Sequence, residues 1–524
     1  MKTIQKIFSG IPGQRMKNRL GLLFLGLGIL SFVVCIRYAF GQDIWYDEVF
    51  SVQFMQHSYG EIAVLTGKDV HPPLYYWYLK LFHDIGKFLV PAAPSVVLCK
   101  LASVLPFVGI FIYTVTVIRK RFGLPVAGVY WFLLMTMPQI NNYMVEIRMY
   151  SLALFLITAA FLHSCELTGV SSGLPQKKTE LLHWILFWMY GILTAYTQYY
   201  ACVAIIAIYI ALFIYFCIRR EKQGICKTLL CAGVSVLVYL PWLPFFFSQV
   251  QTVSSSYWIQ PLTWKSIFGC LKYIFLPVSY MVKRNYVLAC VMILIFGAAF
   301  LYSFLVKRKE GRDRYFLLCG LWMAVFTTLT GFACSILNRP VFVYRYLIPC
   351  LGAAWLIAAV TLWDSVEKNW GIVLLVPFLL AGYSNMQGFR GEESKKLVQM
   401  EATQSFLADF PEGSVVLCNF DHVQAVTACY LDDSNELYLY GSNPENLIAE
   451  LLPQCKGLED VTELPELVQS KDVYFFGSFN SREDLLKEWE AEGIAYTEEG
   501  TYLLERYYFN VYHLYRANEI SEVS

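Results

Sequence analysis

Acidic side chains are scarce in most of this 524-residue sequence. Residues 1–386 carry 14 Asp and Glu against 32 Lys and Arg, whereas residues 387–524 carry 26 against 9. The overall charge of +1 therefore conceals a basic part of net +18 and an acidic tail of net −17. Such a tail repels phosphate, which argues against nucleic acid as a partner. Metal-ligand cysteine spacing is also missing. The 15 Cys mostly stand alone in apolar runs, where Cys acts as a small hydrophobe, and the tail has Cys418, Cys429 and Cys455, an odd and widely spaced set. Neither a zinc site nor an obligatory disulfide framework is expected. No Gly-rich phosphate loop of the Walker or dinucleotide type occurs, so a nucleotide has no recognisable seat. No small-residue cleavage site follows the first apolar run, which reads as an uncleaved signal anchor. Fixed-period repeats and low-complexity tracts are absent.

Apolar residues are what the chain has in excess. It is 57% hydrophobic and 17% aromatic, with a mean hydropathy of +0.48, the composition of a polytopic membrane protein. A helical span needs about 20 apolar residues. Eleven such runs fall near 20–40, 96–118, 123–140, 149–167, 183–199, 201–218, 228–247, 286–306, 315–337, 345–363 and 370–386. Between them, 20 Lys and Arg fall on the side of the N-terminus and 12 on the other. By the positive-inside rule the N-terminus is cytoplasmic. The first loop (about 41–95), the loop at about 248–285 and the tail are then extracytoplasmic. The aromatic 248–285 loop reads as carrying an interfacial amphipathic helix. In the tail, β-rich runs (414–420, 436–440, 472–476, 501–505, 507–515) alternate with helical ones (423–430, 444–452, 482–492). The expected fold is thus mainly α: a polytopic transmembrane domain of about 11 helices over 1–386, then a soluble acidic extracytoplasmic α/β domain over 387–524.

The scarce acids are concentrated. Asp43, Asp47, Glu48, Glu61, Asp69 and Asp84 are six of the 14 in the basic part, and all lie in or beside the segment 44–81. Asp47 is a candidate general base and Glu48 its helper, since transfer to a hydroxyl needs a proton acceptor. The plainer reading is that both acids sit at a helix N-terminus, where negative charge is favoured. Asp69 and His71 precede Pro72-Pro73, whose restricted backbone favours an extended entry into the next segment. Tyr75 follows. Glu48, Asp69 and His71 are the residues open to a divalent cation, though one His with carboxylates is a weak metal pattern. His71 alone reads more simply as a loop histidine bonded to backbone. Glu146, Arg148 and Tyr150 stand at the mouth of the fourth run. Charge there is costly unless paired or functional, and Arg148 suits a lipid phosphate. A structural Glu146–Arg148 pair is the alternative. Arg345-Tyr346 opens the tenth run as a second phosphate candidate; Lys283-Arg284 and Arg339 are weaker ones. Gln198 and Tyr199, beside Tyr196, read either as a sugar-pocket wall or as an aromatic belt.

In order along the chain stand Asp47-Glu48, HPPLYY (71–76), E-x-R-x-Y (146–150), Y-T-x-Y-Y (196–200), YLPWLP (239–244) and RYLIP (345–349). Over about residues 15–386 this series resembles the polytopic C-type glycosyltransferases that use polyprenyl-phosphate sugars, the protein O-mannosyltransferase and lipid A aminoarabinose-transferase group. The resemblance implies a lipid-phosphate-linked hexosyl or pentosyl donor and an extracytoplasmic acceptor in a cell-envelope glycan, lipid or protein. It implies Asp47 as general base in an inverting displacement, with Arg148 and Arg345 at the lipid phosphate. It leaves a divalent cation unassigned. Gln198 stands where the family often has His. Two other classes compete: a flippase for lipid-linked saccharides and a non-catalytic envelope-assembly protein. A transporter should place ionisable residues near the bilayer midplane, often in related halves. Here the acids cluster towards one side and no inverted repeat is evident.

Overall fold

The structure is a computed structural model that describes residues 13–169, 177–252, 259–279, 281–337, 339–459, 464–504 and 507–517. It resolves into two compact units, residues 1–40 with 62–390 and residues 41–61 with 391–524.

The larger unit is helical. Among the described residues, nine helices are long and apolar enough to cross a membrane: Gln14–Phe40, Ser95–Phe122, Tyr150–Thr168, Tyr199–Arg219, Lys222–Gln251, Val282–Lys307, Gly311–Leu337, Tyr344–Asp364 and Gly371–Ala408. The chain is a multi-pass membrane protein. The other two expected spans are also helices, Leu124–Thr136 with 13 residues and Lys177–Ala195 with 19. The first falls short of the roughly 20 residues a span needs; the second opens on two lysines and Glu180. Helices Tyr150–Thr168 and Tyr344–Asp364 form the centre, with 89% and 83% of their apolar windows buried, against 6% for Lys222–Gln251. A helix apolar on every side belongs in such a core. The two central helices approach closely at Gly352, where a Cβ would overlap the Thr158 hydroxyl. The expected amphipathic helix is present as Lys265–Phe275; residues 253–258 of that loop lie outside the described residues.

The smaller unit is a six-stranded sheet with helices. Its strands are β1 (Val415–Cys418), β2 (Glu436–Tyr440), β3 (Cys455–Leu458), β4 (Val473–Ser478), β5 (Ile494–Leu504) and β6 (Tyr507–Arg516), in the order β3-β2-β1-β4-β6-β5. The first four are mutually parallel, and β6 and β5 close one edge antiparallel. Phe475, Trp489 and Leu514 are among the residues of its core. The sequence pattern anticipates four of the strands. It omits β3, four residues of Cys-Lys-Gly-Leu, and starts β5 too late. Those stretches alternate weakly and become strands by pairing with β2 and β6.

Residues 41–61 pack with the tail, although in sequence they belong to the first loop. Lys396 Nζ lies 2.6 Å from Asp43 Oδ2, a carboxylate only 2% exposed. The Tyr430 hydroxyl accepts from the Ile44 N–H at 3.1 Å and donates to the Gln42 carbonyl at 2.9 Å.

Candidate active site

In the helical unit His71 meets Arg148. Arg148 follows the short helix Ile140–Val145 and immediately precedes the central helix Tyr150–Thr168. Its Nη2 lies 3.2 Å from His71 Nε2, and both side chains are buried. A guanidinium only donates, so His71 Nε2 accepts and the imidazole is the neutral tautomer protonated on Nδ1. Burial and the charges of Arg148 and Arg345 hold the His71 pKa well below the usual histidine range. Nδ1 has no hydrogen-bond partner among the described residues. His71 is therefore a side-chain partner of Arg148, which overturns the reading of it as a loop histidine bonded to backbone.

The other candidates fall close by or take structural roles. The Arg345 guanidinium carbon sits 5.9 Å from the Tyr150 ring centroid. Tyr150 packs edge-on against Tyr143 at 4.8 Å, and the Tyr143 hydroxyl meets that of Tyr273 at 3.0 Å. Asp69 Oδ2 accepts from Tyr76 at 3.3 Å; burial and this carboxylate keep the Tyr76 hydroxyl protonated. Tyr75 is buried edge-on against Tyr76 at 5.4 Å. Tyr346 stacks on Tyr200 at 4.2 Å. Tyr199 donates to Gln249 and accepts from Trp242 Nε1 at 3.0 Å. Gln198 is a helix cap: its Oε1 accepts from the Ala201 N–H at 2.6 Å at the start of Tyr199–Arg219. Glu146 ends helix Ile140–Val145, its N–H bonded to the Asn142 carbonyl at 3.0 Å. Pro73 already has helical angles (φ −80°, ψ −17°), so the expected extended entry does not reach it. Arg284 donates to Ser384 at 2.8 Å.

A cavity of about 910 Å³ lies in the same unit, walled by helix Lys265–Phe275, Tyr273, Tyr344, Asn285 and Gln139. Gln139 has φ +73°, a left-handed conformation rarely adopted by L side chains. Tyr273 links this cavity through Tyr143 to Tyr150, and Tyr344 is next to Arg345 in the chain. Sequence reading did not select Tyr76, Tyr143, Tyr273 or Gln249. Tyr76 was visible in the 71–76 motif; the others are ordinary aromatic or amide residues until folding brings them together.

In the smaller unit, Asp47 and Glu48 occupy the first turn of helix Tyr46–Gln56. Glu48 is buried, and its Oε2 accepts from the Trp45 N–H at 3.0 Å. It therefore does what an acid at a helix start does. Asp47 is half-buried. Among the described residues no group of three or more His, Cys, Asp or Glu is arranged to hold a metal ion. Glu48 Oε2, Asp69 Oδ2 and His71 Nε2, on the residues open to a cation, engage Trp45, Tyr76 and Arg148.

No family model and no curated protein matches this sequence. Solved structures do match. ArnT from Cupriavidus metallidurans in the apo state aligns over 95% of this chain and 98% of its own, with TM-score 0.53 and 12% identity. The same protein bound to undecaprenyl phosphate aligns over 94% and 97%, with TM-score 0.55 and 12% identity. The fold is that of ArnT. The likeness spans nearly the whole chain, so it takes in both the helical part and the C-terminal sheet domain. The archaeal oligosaccharyltransferase AglB from Archaeoglobus fulgidus, in complex with an inhibitory peptide and a dolichol-phosphate, also matches (TM-score 0.47, 10% identity, 86% of this chain and 69% of that one).

Proposed function

We propose that this protein is a membrane glycosyltransferase that moves a sugar from a polyprenyl-phosphate carrier to an extracytoplasmic acceptor, with inversion. The observation that carries the reading is the buried His71–Arg148 contact at 3.2 Å, with the Arg345 guanidinium 5.9 Å from the Tyr150 ring, in a chain of ArnT fold. A guanidinium paired with a neutral imidazole donor, with a second arginine in the same unit, suits a phosphate leaving group. Arg148 and Arg345 neutralise the departing phosphate, and His71 Nδ1–H donates to one of its oxygens. The neighbouring cavity, with Lys265 and Lys272 among apolar walls, suits an amphipathic lipid phosphate. ArnT bound to undecaprenyl phosphate is consistent with a carrier of that class. Asp47 is assigned the general base: it accepts the acceptor hydroxyl proton as the new glycosidic bond forms and the sugar–phosphate bond breaks. Glu48 holds the turn on which Asp47 stands. The N-terminus is assigned to the cytoplasm, and the tail and Asp47 to the outer side, on the Lys and Arg distribution.

The test is reconstitution with a panel of polyprenyl-phosphate sugars, following transfer or hydrolysis. Asp47→Asn should lose roughly 10²-fold or more in turnover while retaining carrier binding. Arg148→Ala and Arg345→Ala should each weaken carrier binding. Wild-type turnover in Asp47→Asn would remove the base assignment. Labelled lipid crossing the bilayer with no sugar consumed would favour a flippase.

A further inference from the structure

The C-terminal sheet carries a feature that the reaction above leaves unused. From β1 the chain runs outward to β2 and β3, then returns to β4 on the other side of β1. The order therefore reverses between β1 and β4. In open parallel sheets, ligands bind outside the carboxyl ends of the strands at such a reversal. Here that edge is aromatic. Phe420 and His422 follow β1, and Phe479 follows β4. The Asn419 side chain ties the two loops together, donating to the Ser478 carbonyl and accepting from its N–H, both at 2.8 Å. Phe420 lies edge-on to Phe479 at 5.0 Å and to Tyr507 at 5.0 Å. Phe479 is 50% exposed, a large apolar ring left to solvent. Its φ of +58° is left-handed, a backbone state that costs energy in a bulky residue. An exposed ring held at such a cost needs a reason beyond packing.

The same edge reaches the helix that bears Asp47. His422 stacks in parallel on Tyr46 at 4.0 Å and on Phe420 at 4.7 Å. Burial, with the charges of Glu445, Asp421 and Asp47, keeps the Tyr46 hydroxyl protonated. An aromatic face attracts the C–H side of a sugar ring through its quadrupole. Carboxylates accept from hydroxyls and attract amines but repel phosphate.

We propose that this aromatic shelf binds a neutral sugar ring of the acceptor, with its C–H face on Phe479 and its hydroxyls towards the acidic edge. Sugar binding stands independently of the glycosyltransferase reading; only the role as acceptor site rests on it. The full chain in lipid nanodiscs is tested by saturation-transfer difference NMR. The probes are the methyl glycosides of mannose, glucose and N-acetylglucosamine and the corresponding 6-phosphates. Ring C–H protons of at least one neutral glycoside should saturate with wild type, and its 6-phosphate should saturate less. Phe479→Asn keeps a residue tolerant of left-handed backbone and removes the ring; it should weaken binding by about tenfold. Phe479→Trp should restore it. Silence of all three neutral glycosides, unchanged binding in Phe479→Asn, or equal binding of the 6-phosphates overturns the proposal. Expected NMR results in a chain that transfers no sugar from any carrier would sink the glycosyltransferase reading and keep the shelf.

Discussion

Arg148 and His71, 77 residues apart in sequence, meet in the helical unit with Nη2 3.2 Å from Nε2. His71→Ala removes the acceptor from a buried guanidinium N–H. An unsatisfied buried donor costs about 1–3 kcal/mol, so the variant should melt at a lower temperature in detergent. It should also bind polyprenyl phosphate less tightly. An unchanged melting temperature together with unchanged affinity would mean the contact contributes nothing.

The same contact sets a pH response. The His71 pKa in the folded protein is lowered by burial, then by Arg148 and Arg345. The unfolded chain therefore binds this proton more readily, near the ordinary value of about 6.5. The contribution of His71 to stability is complete above that value and is lost as pH falls below it. Melting temperature should decline from about pH 6.5 downward, and His71→Asn should flatten that slope. An unaltered slope in the variant would assign the acid sensitivity elsewhere.

Glu436 gives the sheet domain its own acid signature. Lys456 and Lys471 bond it at 2.8 and 2.9 Å and hold its pKa at about 2, below the ordinary carboxylate range. The depressed value means stabilisation is present above about pH 4.5 and fades as pH falls towards 2. Its partial exposure makes the effect small. The protection of β2 amides, taken relative to the intrinsic exchange rate at each pH, should fall over this range in wild type and change less in Glu436→Gln.

Gly352 decides how closely the two central helices approach. Gly352→Ala forces a methyl into the Thr158 hydroxyl. Overpacking of this kind costs about 1–3 kcal/mol, read as a lower melting temperature. Adding Thr158→Ala should recover part of the loss, because the nearest clashing atom disappears. Additive losses in the double variant would show that the helices do not meet through this pair.

The sequence by itself determined the membrane character, the positions of the helical runs and the acidic α/β tail. Those features depend on local composition and periodicity: apolar runs of span length, and short alternating strands between helical stretches. It also marked Arg148, because charge beside apolar spans is costly and therefore conspicuous, Arg345 at the start of a span, and His71 by the two prolines that follow it. Tertiary structure alone decided their contacts. Arg148 pairs with His71, and Tyr346 stacks on Tyr200. Gln198, which suggested a sugar pocket, caps a helix. Glu48 bonds the turn that carries Asp47, and residues 41–61 pack with a tail more than 300 residues downstream. Side-chain pairing across such separations leaves no periodic trace in a chain. It follows from which faces the packed helices and strands bury together, and that is settled only when they pack.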